Sequence, residues 1–128
     1  PQEARAIESE HFDRFARTVV FAVRDSKGKK EKRVIPLHRE AVAILTKLAL
    51  KYPTGKLFRN KYGRPWRKDG IVLRFSRMRE KLGCEFFAYA IRHTYATDAL
   101  LRGIDPVTVA TIMGHKDAKM ILKVYQHI

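Results

Sequence analysis

The sequence predicts an α+β domain, mainly helical, with a small antiparallel β-hairpin or sheet near its start. Three observations lead there. Two runs rich in β-branched residues, RTVVFAV (17–23) and KRVIPL (32–37), flank a lysine-rich turn at 25–30 that contains Gly28, the pattern of a hairpin. Apolar residues recur at helical spacing through 38–51 and 71–82. From Ala88 onward, Gly103, the pair Asp105-Pro106 and Gly114 divide the chain into three short helices, because aspartate followed by proline opens helices and glycine closes them.

Taken in order, PQEARAIESEHF offers Pro1 as a first helical position and Ala4, Ile7 and Phe12 for burial. It reads as the last part of a helix that starts upstream, and the chain, which lacks a starting Met, reads as a piece of a longer polypeptide. The second strand of the hairpin ends at Pro36. In 38–51, Ala41, Ile44, Leu45 and Leu48 form one stripe of an amphipathic helix, which Pro53 and Gly55 break. Residues 60–70 read as a loop. There Arg59, Lys61, Arg64, Arg67 and Lys68 interleave with Tyr62 and Trp66, a composition that either grips a DNA backbone or leaves Trp66 to cap a core. The next helix turns Ile71, Phe75, Met78 and Leu82 inward and Arg74, Arg77, Arg79 and Lys81 outward, and Gly83 ends it. In 88–102 a helix runs up to Gly103. A short one follows through Val107, Ala110 and Met113, and a last one, capped by Asp117, carries Ile121, Val124 and Ile128 on its buried stripe with Tyr125 beside them.

The 128 residues suit one domain. With 27 Lys+Arg against 13 Asp+Glu the net charge is +14, the usual electrostatic footprint of nucleic-acid binding, although ribosome-associated and merely soluble basic proteins carry such charge too. Contact with about 6–10 phosphates would weaken binding ~10³–10⁵-fold between 50 and 200 mM salt. A single cysteine, Cys84, cannot form an internal disulfide, which fits a reducing cytoplasmic setting. No apolar run approaches the ~20 residues of a membrane-spanning helix, and no secretory signal opens the chain. CxxC, HExxH, acidic-cluster and Walker patterns are all missing, so neither a metal nor another cofactor is expected.

Residues 87–128 hold the candidate chemistry. Attack on a phosphodiester by a protein hydroxyl needs a nucleophile, cationic donors around the phosphorus and an acid for the leaving oxygen. Tyr125 can be the nucleophile. An ordinary phenol, with pKa ~10, costs about 4 kcal/mol to ionise at pH 7, so cations or a base must assist. Arg92 offers a permanently charged fork to two phosphate oxygens, and His115 can donate to a non-bridging oxygen or relay a proton. Taken singly, each has a plainer reading: a packed tyrosine, a solvated arginine, a histidine at a helix end.

The order RHTYAT, then GH, then VYQHI resembles the second conserved box of the tyrosine recombinase family, the integrase-type enzymes that cut and rejoin DNA. The matching residues are Arg92, His93, Thr94, Ala96, Thr97, Gly103, Gly114, His115, Tyr125 and His127. The resemblance implies the catalytic domain of such an enzyme over 1–128, with an upstream DNA-clamping domain outside the chain. It implies breakage and rejoining of double-stranded DNA through a 3′-phosphotyrosyl link to Tyr125, with Arg92 and His115 on the phosphate. A catalytic lysine on the hairpin turn, Lys27 with Lys29 and Lys30 as rivals, would protonate the leaving 5′-oxygen. Arg64, Arg67, Lys68 and Arg74 are expected on the DNA, His93 and His127 in support, a tetramer on DNA for the full-length parent, and a place at the nucleoid. Two departures stand out. Tyr89 occupies the position of the family's first histidine, three residues before Arg92, and keeps a hydroxyl but no imidazole. Glu3 matches the glutamate of the family's R-x-x-E, which puts the first arginine one residue before Pro1 and leads us to expect little activity of the chain alone. The alternatives are a type IB topoisomerase relative, against which RHTYAT and GH argue, and a non-catalytic helix-turn-helix module.

Overall fold

The computed structural model describes residues 2–22, 32–115 and 118–126. The turn bearing Lys27, Lys29 and Lys30, the Asp117 cap, and Pro1, His127 and Ile128 lie outside them. The chain divides into two compact units, 1–73 and 74–128.

In the first unit, α1 (Gln2–Ala6) leads through a 3₁₀ turn (Ser9–His11) to a three-stranded antiparallel sheet of β1 (Phe12–Asp13), β2 (Thr18–Phe21) and β3 (Arg33–Pro36), in that spatial order. The hairpin expected from the β-branched runs is present, with Val19 opposite Ile35 and Val20 opposite Val34. β1 was not foreseen. It pairs Phe12 with Val19 after a tight turn in which the Asp13 carboxylate accepts from the Phe15 and Ala16 amides at 3.0 and 2.9 Å. Alternation along β2 buries Val19 and Phe21, which meet Ile7, Leu45 of α2 (Arg39–Lys51) and Leu57 in one core. Leu57 is fully buried although it falls in the stretch read as a helix break, and its amide donates to the Ile7 carbonyl at 3.0 Å. Within the α2 stripe Ile44 is exposed, contrary to expectation, because Leu45 takes the core position.

The expected loop at 60–70 is shorter than predicted, since α3 (Lys68–Leu82) already starts at Lys68. Two residues of this basic, aromatic stretch, Arg59 just before the loop and Trp66 within it, are structural. Arg59 lies over the Tyr52 ring at 4.1 Å and donates to the Thr54 and Lys56 carbonyls, so it is spent on its own fold. Trp66 packs on the first turn of α3, where a Cβ on Gly70 would come within 3.2 Å of the indole. The inward face predicted for α3 is also corrected. None of its residues is buried, Met78 and Leu82 are exposed, and Phe75 is half-buried. Periodicity places those residues on one face without saying what covers it.

In the second unit, Phe75 stacks on Phe86 at 5.5 Å between ring centres. Arg79, expected on the outer face, instead donates to the Phe86 carbonyl at 3.2 Å and lies 4.4 Å over the Phe87 ring. It fastens the end of α3 to the start of α4 (Ala88–Leu101). α4, α5 (Pro106–Met113) and α6 (Lys119–Gln126) follow at the predicted joints. They share a core of Ala96, Ala99, Leu100, Val109, Ala110, Met113 and Ile121. Within α5 Val107 is exposed, and Val109 is fully buried. Among the described residues no helix is long and apolar enough to cross a membrane.

Candidate active site

Helical spacing puts Tyr89, Arg92, His93 and Ala96 on one face of α4. Burial of Ala96 in the helical core fixes which way that face points. Opposite it, α5 ends in a Schellman arrangement. Gly114, left-handed at φ 76°, donates to the Thr111 carbonyl at 3.0 Å, and the His115 amide reaches back to the Ala110 carbonyl at 2.9 Å. A side chain at position 114 would be strained at that φ. Gly-His therefore works as a geometric device: the glycine reverses the chain and the next residue is presented at a fixed place.

The two elements meet at Arg92. Its Nη2 donates to the Met113 carbonyl at 2.6 Å and lies 2.9 Å from His115 Nε2. A guanidinium can only donate, so in a hydrogen bond between the two His115 Nε2 is the acceptor. Around this pair is a small cleft of about 50 Å³ lined by Tyr89, Arg92, His93, Ala96, Met113, His115, Met120 and Ile121. It has room for a few waters or a single phosphate group. Tyr89 stacks on His93 with ring centres 6.5 Å apart, one helical turn along α4.

Four of the sequence-predicted residues, Arg92, His115, Tyr89 and His93, are thus brought together. Tyr125 is on α6 one turn beyond buried Ile121, exposed, and does not line the cleft. Glu3 belongs to the first unit, where its carboxylate accepts from Arg33 Nε of β3 at 2.9 Å. Arg64, Arg67, Lys68 and Arg74 are all exposed. Lys27, with its rivals, and His127 are outside the described residues. Sequence reasoning missed the Met113 carbonyl as the anchor of Arg92. The glycine after Met113, which leaves that carbonyl at a helix end, was the available signal.

The cleft offers one guanidinium beside two imidazoles, a set that can hold an anion. Elsewhere, Glu8, Glu10 and His11 come close enough to hold a cation, but their chemistry is already committed. His11 Nδ1 accepts from the Glu8 amide at 3.0 Å, so the ring proton is on Nε2, the nitrogen that faces Glu10 at 3.8 Å. Neither nitrogen keeps a lone pair for a metal.

A domain of this helical pattern, with an arginine and a Gly-His joint converging on an anion-sized cleft, matches one family along its whole length. Residues 1–128 fit the model of the Phage integrase family, and the chain belongs to that family. Among curated proteins it is similar to tyrosine recombinase XerA of Saccharolobus solfataricus, 33% identical over 107 residues, which cover 83% of this chain and 34% of that protein. It is also similar to tyrosine recombinase XerD of Staphylococcus haemolyticus, 30% identical over 112 residues covering 80% and 37%. The chain spans about a third of the length of these relatives. A crystal structure of XerA recombinase superposes with a TM-score of 0.76 over 99% of this chain and 46% of that one, at 20% identity. The two share the fold.

Proposed function

We propose that this chain is the catalytic domain of a tyrosine-type, site-specific DNA recombinase that acts through a 3′-phosphotyrosyl intermediate. The observation that carries the reading is the Arg92–His115 pair at the mouth of a phosphate-sized cleft, in a unit whose last helix bears an exposed tyrosine. In the reaction the Tyr125 oxygen attacks phosphorus as its phenolic proton passes to solvent, and the bond to the 5′-oxygen breaks. Arg92 and His115 neutralise charge that grows on the non-bridging oxygens, and Lys27, assigned by family resemblance, protonates the leaving 5′-oxygen. Rejoining is the reverse, with a 5′-hydroxyl as nucleophile. Because Tyr125 does not line the cleft, attack requires α6 to shift or the bound phosphate to sit between the cleft and the phenol. Tyr89 contributes a hydroxyl where the family carries a histidine, which supports hydrogen bonding to the phosphate and not imidazole base catalysis.

Double-stranded DNA is the proposed partner, held by the exposed Arg64, Arg67, Lys68 and Arg74. The full-length parent is proposed to carry an upstream clamping domain, to work as a tetramer on DNA, and to reside with the nucleoid. The test is a duplex nicked just beyond the cleavage position, so that the cleaved end diffuses away and the covalent adduct accumulates. The full-length protein should give an adduct, and Tyr125→Phe should abolish it. An adduct that persists in Tyr125→Phe removes Tyr125 as nucleophile. Arg92→Lys should slow adduct formation ~10²–10³-fold, the usual loss on removing one transition-state donor.

A further inference from the structure

The first unit has a hollow of about 460 Å³ between the β1–β2 turn and the second half of α2, and none of the residues assigned above to DNA or to catalysis lines it. Its rim holds Phe15, 86% exposed, and Leu50, 77% exposed. Phe15 is not on a loose tip. The Asp13 carboxylate accepts from the Phe15 and Ala16 amides, Arg17 is left-handed at φ 57°, and the Arg17 carbonyl accepts from the Leu37 amide at 2.8 Å. That backbone region is unfavourable for a residue with a Cβ, so the fold gives up some stability in a turn that holds an aromatic ring in water. Large apolar groups exposed together mark a surface that something covers.

Charge separates across the hollow. Glu10 and Asp13 stand on the turn side, where the Arg14 guanidinium lies 4.9 Å over the Phe15 ring. On the other side, helical spacing sets the exposed Ile44, Lys47 and Lys51 along α2, with Leu50 one turn beyond Lys47. Glu40 shares that face but sits in the first turn, where the helix dipole favours a negative charge. One patch thus has acids on one side, bases on the other and apolar side chains between. A twofold interface requires that combination, because each copy must supply both halves of every contact. A polyanion meets Glu10 and Asp13, and a purely basic partner meets Lys47 and Lys51, so both face like charge. We infer that two copies of this chain pair through this patch about a twofold axis, Phe15 and Leu50 at the centre, Glu10 and Asp13 of one copy against Lys47 and Lys51 of the other. The pairing needs neither DNA nor the chemistry proposed above.

A turn and half a helix make a small contact, of the class below ~1,200 Å² in which association is weak. The net charge of +14 on each copy opposes it at low salt, whereas at ~0.15 M the screening length is about 8 Å, which quiets distant charges and leaves contacting pairs. The experiment is sedimentation equilibrium of the 128-residue chain at that salt, from about 10 µM to about 1 mM, covering weak affinities. A reversible monomer–dimer equilibrium without larger species is expected. Phe15→Ser and Leu50→Ser should each weaken it about tenfold or more, as loss of a central apolar anchor does, with melting temperatures held because both side chains are exposed. Lys47→Glu lowers the net charge from +14 to +12, one reversal counting two units. General repulsion then falls and unspecific association strengthens, but the inferred dimer weakens, since acids meet acids. Glu10→Lys should weaken it as well, and the two reversals combined in one chain should restore it at an unchanged +14. A chain monomeric at 1 mM, a dimer indifferent to both serine variants, a dimer strengthened by Lys47→Glu, or a combined variant as weak as the single ones would each overturn the inference.

Discussion

The two units solve different problems with different side chains. Residues 2–73 are held by large ones: Phe21, Leu57, Val19, Leu45 and Ile7 fill the space between a short sheet and α2, with Phe12, Ile35, Leu48, Tyr52 and Phe58 half-buried around them. In 74–126 the buried set is small, with Ala96, Ala99 and Ala110 among seven residues. Large side chains bury the most apolar area and so contribute most stability per residue. Alanines contribute little area, but they let helices approach closely, and close approach is what brings the Met113 carbonyl to Arg92. The sheet unit is built for cohesion and the helical unit for placement.

That contrast predicts opposite sensitivities. Shrinking a side chain should hurt the first unit most. Leu57→Ala leaves a cavity beneath a fully buried residue and should cost ~2–5 kcal/mol, read as a lowered midpoint in urea. Enlarging one should hurt the second. Ala110→Leu forces extra carbons into the α4–α6 core and should cost about 1–3 kcal/mol. Its carbonyl also accepts the His115 amide, so the variant should lose adduct formation by more than its stability loss explains. If Ala110→Leu proves neutral in both measurements, the helical core is loose and the contrast fails.

The helical unit was the more legible of the two in the sequence, and the reason is physical. Its boundaries are set by local chemistry: Gly103, Asp105-Pro106 and Gly114 act within one turn of where they stand, and each joint appears where it was expected. The family box could be read for the same cause, since its spacing is the spacing of those joints. What escaped depends on partners distant in sequence. β1 exists only because Val19 pairs with Phe12. Leu57 is core because Ile7 and the sheet reach it. Arg79 and Arg59, which looked like members of a basic surface, are held by carbonyls and aromatic rings nearby in space. The Arg92–Met113 bond joins residues 21 apart, and no local pattern announces it.

The smallest expected effect concerns the joint that opens α5. The Thr108 hydroxyl donates to one oxygen of the Asp105 carboxylate and the Thr108 amide to the other, the latter at 3.0 Å. These bonds, the hydroxyl first, hold the Asp105 carboxyl below its ordinary value of 3.8. A depressed folded-state value stabilises the protein above the unfolded value and loses that contribution as pH falls through the folded one. The window therefore lies below about pH 4, and at neutral pH the cap is fully engaged. Asp105→Asn keeps an amide oxygen for the Thr108 N–H, and asparagine caps about as well as aspartate, so it should change the neutral melting temperature little while removing this acid-dependent loss. Asp105→Ala should lower the melting temperature at every pH. Equal acid sensitivity in Asp105→Asn and the wild type would mean that the carboxylate plays no part in fixing α5, and that placement in the helical unit rests on its alanine contacts and Gly114 alone.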